Sequence, residues 1–275
     1  MRILILGGKG MAGHFITNYL QRKKEYEIFY TCRDINDKNG FFLDVTNRQE
    51  LEELVKFLKP TIIINCTGIL NHHAANNPTL AFHVNSLLPQ QLKEIMEQHR
   101  GKLIQISTDC VFLGDKGDYV ETDITDGVSV YSKSKQQGEI INDKHVTIRT
   151  SIIGPELKED GIGLFQWFMK QNGKVKGYKK ALWNGVTTLE LAKAMDEIIK
   201  EDPSGLYHLC SPKKISKYDL LMLMKDVFEK EDIEIIPDES VVINRTLRNT
   251  RTDFQYHVPS YEDMLVELKD WLDYK

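Results

Sequence analysis

The chain has few cysteines, only Cys32, Cys66, Cys110 and Cys210 among 275 residues, widely spaced and with no C-x-x-C pair. That scarcity excludes a disulfide framework and the common zinc and redox signatures, and it predicts buried, reduced thiols. Long apolar runs are missing too. The opening stretch Met1-Arg2-Ile3-Leu4-Ile5-Leu6 breaks at glycine, too soon for a signal segment or a membrane span, so a cytoplasmic protein without membrane partners is expected. Neither sign of charge dominates: 36 Lys and Arg stand against 40 Asp and Glu, a formal net charge of −4, with the basic residues dispersed. A nucleic-acid binder needs a cationic face, so DNA and RNA are not expected partners. Repeats and low-complexity segments are absent, and the scattered histidines and carboxylates have no metal-ligand spacing, so no metal site is assigned.

What the chain does have is alternation. Ile3 to Leu6 is an apolar strand, and Met11, Phe15, Ile16, Tyr19 and Leu20 follow at helical spacing. Glu27 to Cys32 reads as a second strand, and Asn47 caps a helix carrying Leu51, Leu54, Val55 and Leu58 that Pro60 closes. Thr61 to Cys66 is apolar nearly throughout, as a strand is when helices cover both sheet faces. A helical stretch from about Pro78 to Arg100, a strand from Lys102 to Ser107, a helix starting near Tyr131 and a strand from Val146 to Ile153 continue the series. Strand and helix alternate without exception, which predicts an α/β fold with a doubly wound parallel Rossmann sheet.

After Gly154-Pro155 the rhythm loosens. Residues 1–155 are assigned to a dinucleotide-binding domain, with 180–210 returning to it through a helix at Leu189 to Lys200 and a strand at Gly205 to Cys210. Residues 156–179 and 211–275 are assigned to a smaller, discontinuous substrate lobe. It contains Phe165, Trp167 and Phe168, helices at Tyr218 to Lys230 and Tyr261 to Tyr274, and a strand at Ile233 to Ile236.

The first strand runs directly into Gly7-x-x-Gly10-x-x-Gly13. A helix start carries unpaired N–H groups and partial positive charge, so a pyrophosphate placed there is held without side chains. Gly7 permits the tight turn, Gly10 leaves room for phosphates, and Gly13 lets the helix beginning at Met11 pack against the strand. The second strand ends in Tyr30-Thr31-Cys32-Arg33-Asp34 rather than in the acidic residue typical of NAD enzymes. Arg33 suits a 2′-phosphate and Lys9 offers a second charge, so NADPH is the expected cofactor; NADH is the alternative if Asp34 takes the ribose. Asp44, in Leu43-Asp44-Val45, is placed either to accept from an adenine amino group or to close a turn.

Reducing a ketone leaves an alkoxide-like oxygen that needs a hydrogen-bond donor and a general acid. Thr108 ends a strand, and Tyr131 and Lys135 lie one turn apart on one helix face. A lysine ammonium beside a phenol is expected to lower its pKa from an ordinary value of about 10. Tyr19 and Lys23 share the spacing, but Tyr19 belongs to the apolar stripe of the first helix. Tyr131 instead follows the strand that delivers Ser107-Thr108 to the sheet edge where such folds build their sites.

Ser107-Thr108-Asp109-Cys110-Val111-Phe112-Leu113-Gly114, Glu121-Thr122-Asp123, Tyr131-Ser132-Lys133-Ser134-Lys135 and Gly138-Glu139 resemble the extended short-chain dehydrogenases/reductases. Within them, the chain is similar to the dTDP-4-dehydrorhamnose reductases and related nucleotide-sugar 4-ketoreductases. Asn65-Cys66-Thr67-Gly68, Asn85 and Arg149-Thr150-Ser151 fit the same pattern. The resemblance implies an NADPH-dependent oxidoreductase of polysaccharide biosynthesis that acts on a 4-keto-6-deoxy nucleotide sugar. It implies that Thr108 orients the carbonyl, Tyr131 is the acid, and Lys135 tunes the phenol and binds ribose. Cys66, Thr67, Gly68, Val45 and Asn85 would line or support the cofactor, Phe165 or Trp167 would cover the base, and Arg245, Arg248 or Arg251 would take the diphosphate. Two departures, Cys110 for a tyrosine and Ile152 for a tryptophan, bear on the sugar and leave the hydride chemistry alone. A homodimer is left open. An epimerase drawing on His72, His73 or His83, and a catalytically silent nucleotide-binding subunit, are the alternative readings.

Overall fold

In a computed structural model that describes residues 1–158 and 161–274, β1 (Arg2–Leu6) leads through the glycine loop into α1 (Met11–Leu20). β2 (Glu27–Cys32) and the short β3 (Phe41–Phe42) precede α2 (Arg48–Leu58). Asn47 accepts from the Glu50 N–H to start α2, and Lys59, left-handed at φ 49°, ends it ahead of Pro60. β4 (Ile62–Asn65), α3 (Asn71–Asn76) and α4 (Pro78–Phe82) run into a π-helical turn, His83–Leu87, and then α5 (Leu88–Gln98). β5 (Lys102–Thr108), α6 (Val130–Gln137), β6 (Val146–Thr150) and β7 (Ile152–Ile153) follow.

Beyond these come α7 (Leu164–Lys170), β8 (Gly173–Tyr178), β9 (Ala181–Trp183), β10 (Val186–Thr187), α8 (Thr188–Glu201) and β11 (Gly205–His208). β12 (Ile215–Ser216), α9 (Lys217–Val227), β13 (Ile233–Asp238), β14 (Ile243–Asn244) and α10 (Tyr261–Asp273) complete the described chain.

Seven strands form one parallel sheet in the order β11-β6-β5-β4-β1-β2-β3. The chain's direction of progress reverses between β1 and β4, and ligands of such sheets bind in the crevice opened there. β1 shows why both faces need covering: Ile3 and Ile5 point into one apolar core, Leu4 and Leu6 into the other. α2 and α5 cover the second, whereas α1, α8 and α10 cover the first. The first core continues without a break into Phe165, Phe168 and Met224 of the C-terminal half.

Three expectations are corrected. The alternation of strand and helix fails at the added strand β3, which pairs with β2 after the loop 33–40; Asp34 and Asp37 each accept from a backbone N–H two residues on and turn that loop back. Within 180–210, only β11 joins the main sheet, although α8, Trp183 and Val186 share its first core. β9 pairs instead with β12 and β14 in a small three-stranded sheet, and β10 pairs with β7. Finally, Cys32 alone of the four free thiols is buried, while Cys66, Cys110 and Cys210 are partly exposed.

Candidate active site

The glycine loop is fixed to the neighbouring strand, with Gly7 N donating to Thr31 Oγ1 at 3.2 Å and Gly8 N to Thr31 O at 2.9 Å. Gly7 is left-handed at φ +76°, and a side chain there would lie 3.1 Å from Thr67 Cγ2. A side chain at Gly13 would run into the Gly7 carbonyl, so α1 packs on the loop only because that position is bare. Gly10 caps α1 without a side chain, and its first turn contains no acidic residue. Its N–H groups thus face an anion site with no internal competitor. Met11 opens the helix, close enough to Gly163 that a side chain on that glycine would strike Met11 Cε. The segment before α7 therefore lies against the start of α1, held by Gly163 N donating to Glu156 Oε1 at 2.6 Å.

At the end of β2 the two expected cations differ. Lys9 Nζ lies 2.9 Å from Asp37 and 3.1 Å from Asp34, and these hydrogen bonds, Asp37's first, hold the ammonium well above its ordinary range. Tyr30 OH also donates to Asp37, at 2.9 Å. The charge of Lys9 is already answered inside the protein, which corrects its expected role as a spare phosphate ligand. Arg33 is exposed and, among the described residues, makes no hydrogen bond or ion pair. Asp44 Oδ1 accepts from Thr46 N at 2.9 Å and Thr46 Oγ1 at 2.8 Å, closing a turn with one carboxylate oxygen. Val45 packs half-buried against the second core.

Behind the loop, Asn65 Oδ1 accepts from Thr67 N at 3.1 Å and from its hydroxyl at 2.6 Å, setting the turn through Cys66, Thr67 and Gly68. Asn85, buried in the π-helical turn, braces the same segment. Its Oδ1 accepts from Ile69 N at 2.9 Å, while its Nδ2 donates to Ile69 O at 2.9 Å and to Ser134 Oγ at 3.0 Å. A π turn inside an α-helix is a costly local geometry that recurs at functional sites. Here it turns the asparagine toward two other elements at once.

The reactive group lies at the carboxyl end of β5. Thr108 Oγ1 accepts from Cys110 N at 3.1 Å and donates to Asp109 Oδ1 at 3.1 Å, and its hydroxyl lies near enough to the Tyr131 phenol to act on it. Tyr131 is partly exposed at the start of α6, a helix that Ser129 caps by accepting from Ser132 N at 3.0 Å. Burial pushes the phenol well above its ordinary value; Cys110 and Asp109 push the same way, and the Thr108 hydroxyl partly opposes them. This overturns the expectation of an acidified phenol. Lys135 is buried and donates to Ile106 O at 2.6 Å, and burial draws its ammonium down to about 8, with Glu139 and Cys66 opposing. Cys66 in turn is pushed up to about 12 by burial, with Lys135 pulling it back.

The residues assigned to the substrate fare unevenly. Phe165 is a core side chain, 4% exposed and edge-on to Phe228 at 4.9 Å, so it covers nothing in the cleft. Trp167 stands 38% exposed on α7. Arg251 is spent on Asp253, with bonds of 2.8 and 2.6 Å, and on the carbonyls of Ser204 and Leu206 beside β11. Arg248 is exposed. Of the three arginines, only Arg245 reaches the reactive end of β5, donating to Phe112 O at 2.9 Å and to Cys110 Sγ at 3.8 Å. His72 and His73 are exposed on α3. Sequence reasoning passed over Lys217, whose half-buried ammonium lies 5.0 Å from the Trp183 ring centroid and acts on Asp109 and Cys110. The S-x-x-D cap Ser216 to Asp219 marks a helix start, but no local signal tells which site that start faces.

Comparison with known proteins agrees with this geometry. A family model described as RmlD substrate binding domain matches residues 1–254. The dTDP-4-dehydrorhamnose reductase of Aggregatibacter actinomycetemcomitans is 33% identical over 156 residues, 54% of this chain and 51% of that protein, so the chain spans about half the length of this curated relative. A crystal structure of a dTDP-4-dehydrorhamnose reductase from Clostridium acetobutylicum superposes at TM-score 0.83 with 25% identity, covering 99% of this chain and all of that one. A dTDP-4-dehydrorhamnose reductase from Bacillus anthracis in complex with NADP shares the fold at TM-score 0.84 with 20% identity, covering 98% and 99%.

Proposed function

Because the chain belongs to the RmlD substrate binding domain family, we propose that it is a cytoplasmic NADPH-dependent reductase of a dTDP-linked 4-keto-6-deoxy sugar. The observation that carries this reading is the placing of the Thr108 hydroxyl next to the Tyr131 phenol at the carboxyl end of β5, beside the β1–β4 crevice. Two hydroxyls meeting there can serve one carbonyl oxygen. The relatives named for this reaction support the substrate class, and the NADP complex of the Bacillus anthracis protein supports the cofactor.

The residues present fit a dinucleotide. The N-terminus of α1 would hold the pyrophosphate, Arg33 the 2′-phosphate, the Cys66 to Gly68 turn the nicotinamide side, and Lys135 the ribose. When bound, NADPH supplies hydride to the carbonyl carbon. Thr108 directs the carbonyl oxygen, and Tyr131 gives its proton to that oxygen as charge develops on it. A phenol raised by burial keeps its proton until an alkoxide-like oxygen, a far stronger base, arrives to take it. Arg245, at the mouth of the site, is the arginine assigned to the diphosphate.

The test is incubation with NADPH and a panel of dTDP-, UDP-, GDP- and CDP-linked 4-keto sugars, following absorbance loss and product mass. Turnover of a dTDP sugar is expected. NADPH binding with no oxidation against any member of the panel would reject the enzyme reading.

A further inference from the structure

Lys9 stands inside the glycine loop, yet its ammonium lies at the end of β2, 3.1 Å from Asp34, the residue after Arg33. In this fold the adenosine ribose, with any phosphate it carries, lies at that strand end. A lysine in a phosphate loop ordinarily keeps its charge for the ligand. Here Asp37 takes it first, at 2.9 Å.

The loop 33–40 is built to put that carboxylate there. Asp37 Oδ1 accepts from Asn39 N at 3.0 Å, and Oδ2 accepts from Tyr30 OH at 2.9 Å and from the Cys32 thiol at 3.6 Å. The Tyr30 ring fits between Gly8 and Gly40, where a side chain on either would strike it. Asp37 therefore ties the loop after β2 to the glycine loop through Lys9 and Tyr30 together. Its side chain is only 7% exposed, against 49% for Asp34. A half-exposed carboxylate can give up its cation at little cost, because water takes the vacated place; a buried one is stranded by the loss. Lys9 and Arg33 are also matched one for one by Asp34 and Asp37, so a phosphate arriving there meets no net positive charge.

We infer that Asp37 limits the preference for NADPH over NADH by keeping Lys9 from the 2′-phosphate, which leaves Arg33 to read it. This deepens the cofactor reading above and rests on it. The residue that tunes the choice of cofactor is then one that need not touch the cofactor at all.

The experiment measures dissociation constants of NADPH and NADH by fluorescence titration for the wild type, Asp37→Asn, Lys9→Met and the double variant. The amide keeps the shape of the side chain and drops its charge. Asp37→Asn should tighten NADPH about 3–30-fold and leave NADH within about twofold, and adding Lys9→Met should remove the gain. Lys9→Met by itself should weaken NADPH less than about threefold, since its charge is already spent. A purely structural Asp37 would weaken both cofactors together when replaced, and that result overturns the inference, as does an unchanged ratio of the two constants. A gain that survives Lys9→Met, or a loss in Lys9→Met alone as large as that in Arg33→Ala, overturns it too, while leaving the cofactor reading intact. If the wild type binds neither dinucleotide, the cofactor reading falls and the inference falls with it.

Discussion

Lys135 donates to the carbonyl oxygen of Ile106 at 2.6 Å, while the phenol of Tyr131, one turn earlier on the same helix, lies beside Thr108. The shared face of α6 therefore serves two different walls of the cleft. In this arrangement the lysine belongs to the β4–β5 side, where Cys66 and Glu139 feel its charge, and the phenol belongs to the Thr108 turn. On the proposed reading, proton transfer and cofactor contact are separate tasks carried by neighbouring side chains.

Replacing Tyr131 with Phe removes the acid and leaves the cofactor contacts in place. Turnover should drop by about 10²–10⁴-fold with NADPH affinity preserved, measured by steady-state kinetics beside a fluorescence titration. A variant with near-normal kcat would exclude Tyr131 from proton transfer.

The pH profile should carry the mark of Lys135. Its ammonium, drawn down to about 8 by burial, is charged below that pH and neutral above it, so kcat/KM should decline as pH rises through about 8. Lys135→Arg, charged throughout, should erase that limb. Lys217, also drawn down to about 8, titrates in the same range, and Lys217→Met separates the two contributions. The stability consequence has the opposite slope. Between about 8 and the ordinary 10.5 the unfolded chain binds more protons at Lys135 than the folded one, so stability should rise with pH across that window.

Arg33→Ala should weaken NADPH far more than NADH. Loss of one charge-assisted bond to the 2′-phosphate is worth about 1.5–3 kcal/mol, roughly 10–150-fold in Kd. Equal losses for the two cofactors would show that Arg33 does not contact the phosphate, and Asp34 would then become the ribose ligand.

Glu139 and Arg149 form a two-bonded ion pair at 2.8 and 2.7 Å, with side chains only 5% and 4% exposed. Ser107 adds a bond to the same carboxylate at 2.7 Å. Glu139→Ala strands a buried guanidinium, which should cost about 3–5 kcal/mol and lower Tm by on the order of 10 °C in a circular-dichroism melt. Glu139→Ala combined with Arg149→Met should regain much of that loss.

What could be read from the chain was whatever is settled within a few residues. The β1-loop-α1 unit, the Asn47 cap and the apolar β4 each follow from near neighbours. So does the spacing that puts Tyr131 and Lys135 on one face of α6. Partnerships across the fold were not legible. Lys9 meets Asp37 only because the 33–40 loop doubles back, and Arg251 meets Asp253 against β11 instead of reaching the cleft. Phe165 looked like a cover for a base because aromatic side chains read alike whether they serve the core or a ligand. β3, β9 and β10, two or three residues each, are too short to establish a period.

The π-helical turn at His83–Leu87 fits an extra residue into a helix that would otherwise run smoothly from α4 to α5. Deleting Val84 would let that rod wind regularly and would swing Asn85 by about 100° round its axis, away from Ile69 and Ser134. The shorter chain would own the better helix and the poorer cradle. Selection for a tidy coil and selection for a rigid wall behind the cleft thus pull in contrary directions on a single position, and in this protein the wall has prevailed.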